Sequence, residues 1–502
     1  MSFGTVVVLV TILTAVGFAA LGIVYARRVR ITVEEYVAGG RSTGGLAAMA
    51  TLVASVMGAW ILFSPAESAT WGGIIAVVGY GVGQAVPILA FIVLGPRMRR
   101  LMPQGHSLTE FVWFRFGRAM YGLVLVIIVF YMFVFLSAEM GAIARAVRFV
   151  ADTPLLLTLV VVAGATLAYT VYGGLRASMF TDNLQFLLIF PLIIVVLVVA
   201  LVELGGWNVA FDAVRDVNPA LLSATHVPGV ELGITLIVAI TAANLFHQGF
   251  WQRVYACRSD GELRKGFLLA GLLVIPLIIA GGFFGLWAIG QGVAGPYDPI
   301  ALFKVATEVL PDVVLVILLV LALVLVMSSM DTLLNGIASI FASDLRRLNP
   351  SIRSGSLLTS SRVITAVLII PAMIVGYFFD SVLYLFFIAD LVCAGAVVPV
   401  FLGMYSRRLK GSAAMISSLL GIGAGALFFP NPDLGGWWTF TSLTDFWHVL
   451  ASGNTLASFS IAVGVSSLAA AAFVLFEGRN KAGAGFDFDQ LSGQVHLLEE
   501  RS

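Results

Sequence analysis

Thirteen apolar stretches divide the chain, near residues 4–26, 45–68, 73–95, 120–145, 154–172, 184–204, 232–250, 266–290, 312–337, 358–378, 381–405, 411–429 and 456–476. Each approaches the ~20 residues a helix needs to cross ~30 Å of hydrocarbon. The polar pieces between them are short, the longest being 205–231 and 430–455. The pattern predicts an all-α polytopic membrane protein of about 13 transmembrane helices with no soluble domain. Composition agrees: 60% of the 502 residues are hydrophobic and only 11% are charged, against about a quarter charged in soluble domains. The mean hydropathy is +1.02.

Charge placement adds an orientation. Twenty-four of the 28 lysines and arginines follow odd-numbered stretches or lie in the tail, and four (Arg145, Arg148, Arg215 and Lys304) lie on the other side. This positive-inside bias puts the N-terminus outside and the C-terminus in the cytoplasm. The flank "MSFG" carries no basic residue while Arg27 and Arg28 follow the first stretch, so that stretch reads as a retained helix and not a leader. The segment 477–502 reads as a disordered cytosolic tail. The arginine clusters flank membrane helices and imply no nucleic-acid partner. The partners expected are a lipid bilayer, here the plasma (inner) membrane, and a small solute. No feature specifies an oligomeric state. Two cysteines, Cys257 and Cys393, are too few and too far apart for a disulfide framework.

Some polar residues sit where a spanning helix should be apolar. In "LVLVMSSMDTLLNGIAS" the residues Ser328, Thr332, Asn335, Ser339 and Ser343 recur in steps of three and four, so they share one helical face. Asp331 beside them would cost about 2.5–3.5 kcal/mol against lipid. The stripe therefore faces protein or an aqueous path, and Asp331 points to an ion or solute route more than to plain helix packing. In the second stretch, Pro65 removes a backbone hydrogen bond, Gly58 weakens the helix upstream and Glu67 adds charge. A helix broken between Ala54 and Pro65 would free carbonyls able to coordinate a small cation. In "NLFHQGFWQR", Asn244, His247, Gln248 and Trp251 bring polar and aromatic groups to a helix end, the make-up of a small polar-solute pocket.

The interrupted stretches are the second and the seventh. Stretches two to six (45–204) and seven to eleven (232–405) each hold five spans, so the halves run in opposite orientation, the arrangement of an inverted-repeat transporter. Residues 1–44 then supply one helix and a cytosolic linker, 205–231 an extracellular loop, and 406–476 two peripheral helices.

These residues resemble the sodium:solute symporter family. The resemblance rests on "YTVYGGLRASMFTDNLQ" ending at Gln185, on "EEYVAGGRSTGG" before the first core helix, and on "VMSSMDTLLNGIASIFASDL", and it spans about residues 30–410. It implies a LeuT-type five-plus-five inverted repeat core. It also implies a sodium site made by backbone carbonyls at Ala54 and Met57, with Leu325 as a further carbonyl, and by the hydroxyls of Ser328 and Ser329. Asp182 matches the family's aspartate near the cytoplasmic ion exit, which with Asp331 would line the ion pathway. One departure is Val56, where proline permeases carry an aspartate. Within the family, "GPRMRRLMPQGHSLTEFV", "ESATWGGIIAVVGYGVGQAVPI" and "NLFHQGFWQR" look most like urea active transporters. The resemblance then implies symport of an inward-moving cation, sodium or alternatively a proton, with a small polar solute such as urea. Trp60, Glu67, Gln84, His247, Gln248 and Trp251 are its candidate contacts. An amino acid such as proline or a polyamine is the alternative solute, and Glu67 and Asp331 favour a cationic one. A membrane sensor acting through a separate signalling partner is the alternative class.

An enzyme is not expected. "GRSTG" at 40–44 fits G-x-S-x-G, but that elbow needs a strand before it and a helix after it, and here it lies in a linker ahead of a membrane helix.

Overall fold

The computed structural model describes residues 2–28, 32–348, 354–379, 381–430, 453–480 and 485–495. Its regular structure is helical, apart from one isolated parallel bridge between Thr43 and Cys257. Ten described helices are long and apolar enough to cross a membrane. They are α1 (Phe3–Arg28), α4 (Ser64–Leu101), α6 (Arg118–Ala151), α7 (Leu155–Glu203), α9 (Val227–Phe246), α11 (Asp260–Gly290), α13 (Asp312–Leu348), α14 (Ser354–Phe378), α15 (Val382–Leu402) and α17 (Thr455–Asn480). Shorter pieces are α2 (Val33–Ala38), α3 (Gly45–Val56), α5 (Leu108–Phe116), α8 (Trp207–Val217), α10 (Gln248–Ala256), α12 (Ala301–Val309) and α16 (Gly411–Ala426).

One long helix, α7, holds two of the expected stretches, and α4 joins the end of the second stretch to the whole of the third. Within α7 the backbone reverses at Gly174, with φ +57°, and a Cβ there would lie 2.3 Å from the Tyr36 ring. Only glycine meets both demands at no steric cost. The connection expected between 172 and 184 thus shrinks to one residue, and Ser178, Thr181 and Asp182 become buried helical positions. In α4 the chain turns at Gly73, where Leu221 O would stand 2.3 Å from a Cβ. Helices α3 and α4 pack on α11, and α4 also packs on α9, while α13 lies against α7, α6, α3 and α10.

The two expected breaks are present. α3 ends at Val56, a single turn covers Ala59–Leu62, and the chain resumes helix at Ser64. Pro65 stands in the first turn of the resumed helix, where its missing N–H costs nothing, so it starts a helix instead of kinking one. In the second half the break is at His247, with φ −68° and ψ 108°, between α9 and α10.

The side where basic residues gather is strapped shut. Arg41 donates to Glu34 and to the Pro103 and Gly105 carbonyls. Thr43 and Arg258 exchange backbone hydrogen bonds with Ala256 and Thr43, and Gly45 N–H donates to Glu262. At the centre of the strap the buried His106 ring meets Glu34 at 2.8 Å on Nε2 and Glu110 at 3.3 Å on Nδ1. Burial opposes charging this ring, but Glu110 and then Glu34 outweigh it and raise its pKa from 6.5 to about 9. For Glu34, burial is likewise outweighed by His106 and then Arg41, which lower it from 4.5 to about 2. The His106 contribution to stability is therefore complete below pH 6.5 and lost as pH rises through about 9. The Glu34 contribution is complete above pH 4.5 and lost as pH falls through about 2. The melting temperature of detergent-solubilised protein is expected to fall between pH 7 and 9, and His106→Gln to flatten that fall. A pH profile identical in both proteins would show that the strap carries no such stability.

The tail differs from the disordered segment expected at 477–502. α17 continues to Asn480, and residues 485–495 form a short helical piece, Phe488–Gly493, with Phe488 and Leu491 buried. Phe486 lies 4.4 Å from the Arg115 guanidinium, and Phe488 lies within 6 Å of Arg97, Arg115 and Arg407. Cation–π contact gives these rings a seat that composition alone did not indicate. The expected outer loop at 430–455 and the remainder of the tail lie largely outside the described residues.

Candidate functional site

The first break dismantles the helical ladder in a specific way. In a continuous helix the Gly58 and Ile61 amides would bond the Ala54 and Met57 carbonyls. Here they bond Val56 O and Gly58 O, which releases Ala54 and Met57. The Ala59 and Trp60 amides turn to the Glu139 carboxylate on α6, at 2.7 and 3.4 Å. The same carboxylate accepts from Ser329 Oγ on α13 at 3.0 Å. Glu139 thus ties the broken segment to one of the two serines predicted for the ion site. The other, Ser328, donates to Asp182 Oδ1 at 2.6 Å. Leu325 lies buried in the continuous part of α13, one turn before Ser329.

Below this point the polar stripe of α13 faces protein. Asp182 accepts from Thr51 Oγ1 at 2.5 Å and from Arg253 Nη2 at 2.9 Å, and the same Nη2 donates to Thr332 at 2.8 Å. Asp331 accepts from Tyr169 at 2.7 Å and from Ser178 at 2.6 Å on α7. Ser339 contacts Gln248, and Ser343 donates to Ser339 O. Among the described residues the buried Asn335 side chain has no hydrogen-bond partner, unlike the other members of the stripe. By its sequence position Arg253 is one of the orienting charges that follow the seventh stretch. With 1% of its side chain exposed against 0% for Asp182, it is instead one half of a buried ion pair.

Between the two breaks lies a small cavity of about 30 Å³. Trp60 stacks on Tyr80 at 5.4 Å and meets Phe386 edge-on at 6.4 Å. Phe135 packs on Phe386 at 4.9 Å, and His247 is ringed by Phe250, Tyr131 and Phe135 at 5.3 to 6.0 Å. Asn244 bridges Tyr131 and Gln84. Of the solute contacts predicted, the structure brings Trp60, Gln84 and His247 together here. Glu67, Gln248 and Trp251 lie elsewhere. Gln248 is held by His106 O and Ser339. Trp251 packs against Phe91 and Phe401, and Phe250 supplies the ring expected of it. Glu67 accepts from Ser381 at the start of α15. Two further carboxylates stand at the site, Glu139 and Asp390, which the sequence motifs do not mark. Both stand inside predicted spans, and an ionisable residue within a membrane stretch is itself a functional signal.

A sequence profile described as the sodium:solute symporter family matches residues 36–421. The chain belongs to the sodium:solute symporter family. A spermidine transporter of Candida albicans is 27% identical over 80% of this chain and 77% of its own length. A urea active transporter of Saccharomyces cerevisiae is 26% identical over 78% of this chain and 58% of its own length. Among solved structures, a Na+-coupled sialic acid symporter aligns with a TM-score of 0.77 and 16% identity, covering 95% of this chain and 98% of that one; at that identity it shows the shared fold. The protein is a LeuT-type, multi-pass membrane symporter of a cation and a small solute, not an enzyme.

Proposed function

We propose that the protein couples inward sodium movement to uptake of a small polar solute by alternating access. The observation that carries this reading is the pair of helix breaks, at 57–58 and at 247, which bring Val56, Trp60 and His247 to one cavity. The Ser328 and Ser329 hydroxyls are tied into the same region through Asp182 and Glu139. Sodium is a hard cation that takes oxygen ligands, and the released Ala54 and Met57 carbonyls with Ser328 and Ser329 offer four. Leu325 O is a fifth candidate. Bound there, the ion would fix α3 against α13 and so organise the cavity wall at Val56 and Trp60. Ion and solute would then raise each other's affinity reciprocally. Release would follow Asp182, Asp331 and the polar stripe of α13. A proton is the alternative coupling ion. Urea is one candidate solute, able to bond Gln84 and His247 and to lie on Trp60; a polyamine or an amino acid such as proline is another.

Uptake of labelled urea and spermidine into proteoliposomes, with and without an inward sodium gradient and with a proton-gradient control, tests the reading. Sodium-dependent accumulation above equilibrium is expected. Accumulation driven only by the proton gradient would overturn sodium as the ion. Ser328→Ala with Ser329→Ala is expected to raise the sodium concentration for half-maximal uptake by roughly tenfold or more, the scale of two lost polar contacts. An unchanged sodium dependence would remove these serines from the ion site.

A further inference from the structure

One group in the cavity has no role in the scheme above. Asp390, on α15, lines the space and is 4% exposed. No hydrogen bond or ion pair joins it to any described residue. Among the described residues no lysine or arginine lines the cavity. The other carboxylates around the broken segment are satisfied from within the protein, Glu139 by two amides and a serine, Asp182 by Arg253, Thr51 and Ser328, Asp331 by Tyr169 and Ser178, while Glu67 accepts from Ser381 on one oxygen and lies outside the cavity. A buried carboxylate without a partner costs several kcal/mol, so its presence in a cavity calls for a counter-charge that arrives from outside.

The rest of the wall narrows what that counter-charge is. Much of the wall is made of rings: Trp60, Tyr80, Tyr131, Phe135 and Phe386. A bare metal cation demands several oxygen ligands, and ring faces do not supply them. An ammonium group on a carbon chain is satisfied by one carboxylate and aromatic faces, through cation–π attraction with its methylenes packed on the rings. An anionic solute group finds no seat. Amides at a helix break ordinarily receive such a group, but at this break the Ala59 and Trp60 amides already face Glu139. We propose that the cavity binds an aliphatic ammonium ion without a carboxylate, with Asp390 as its counter-ion and the Trp60–Tyr80–Phe386 rings as its cage. Gln84 and the unpartnered Nε2 of His247 are then left for a more distant polar group of the same solute. This inference rests on the symport reading and names the solute class for it.

The experiment uses the full chain in proteoliposomes with an inward sodium gradient, labelled spermidine as substrate, and butylamine and butanol as competitors of matched shape. Spermidine is expected to accumulate, and butylamine to inhibit at least roughly 30-fold more strongly than butanol, the lower bound for losing one partner of a buried charge pair. Asp390→Asn is expected to reduce spermidine uptake by a similar factor while sodium still raises the melting temperature of the variant as it does that of the wild type. Equal inhibition by amine and alcohol, or undiminished spermidine uptake by Asp390→Asn, would overturn the inference. So would sodium-driven uptake of urea with no uptake of any amine, and in that case the symport reading survives. Absence of both sodium-dependent stabilisation and sodium-driven uptake of any solute would remove the two together. If Asp390→Asn fails to fold, the wild-type comparison of butylamine with butanol decides alone.

Discussion

Arg253→Met is expected to destabilise the protein by about 3–5 kcal/mol, the range for breaking a buried ion pair from one side, and to abolish sodium-driven uptake. The guanidinium on α10 joins Asp182 on α7, Thr332 on α13 and Gly249 O of its own helix, and lies within 3.4 Å of Thr51 on α3. Four helices meet at one side chain. Methionine preserves much of the stem's volume, but Asp182 would keep its charge with only the Thr51 and Ser328 hydroxyls beside it. The double variant Asp182→Asn with Arg253→Met removes that charge and is expected to recover a large part of the stability without restoring transport. Melting temperatures of the purified proteins check the first statement and vesicle uptake the second. Additive losses in the double variant would show that the pair is not coupled as its 2.9 Å separation implies.

Glu139→Ala is expected to be the second severe change, and Glu139→Gln a mild one. The alanine strands the fully buried Ala59 amide, at about 1–3 kcal/mol for an unsatisfied group, and leaves the Ser329 hydroxyl only its bond to Val326 O. The broken segment would lose its tether to α6 and α13 together. Glutamine can place its carbonyl oxygen at the position of Oε2, which holds the 2.7 Å and 3.0 Å bonds, and gives up only the 3.4 Å contact to Trp60. Gly58 belongs to the same device, since a Cβ there would fall 2.1 Å from Glu139 Oε1. Gly58→Ala is therefore expected to resemble Glu139→Ala more than Glu139→Gln. The readouts are melting temperature and the sodium concentration for half-maximal uptake. A glutamine variant as damaged as the alanine one would mean that charge, not hydrogen bonding to the break, is what Glu139 supplies.

The sequence by itself determined the solvent, the helical class, the two positions where helices break and the polar face of α13. All of these follow from local rules: apolar run length, glycine and proline chemistry, and a step of three or four along a helix. Motifs sufficed for the family, as the profile match over 36–421 bears out. Tertiary structure decided what each polar group faces. Arg253 looked like one more basic residue at a helix end, and its burial against Asp182 depends on α10 being inserted among three other helices. Gln248, Trp251 and Glu67 had the right chemistry for a solute contact, but they point at His106 and Ser339, at Phe91 and Phe401, and at Ser381. Asp390 and Glu139 are alike in sequence, each a lone carboxylate in an apolar span. One is saturated by a broken helix and the other faces an aromatic cavity without a partner. That distinction arises from residues far apart in the chain meeting in space, and no local pattern encodes it.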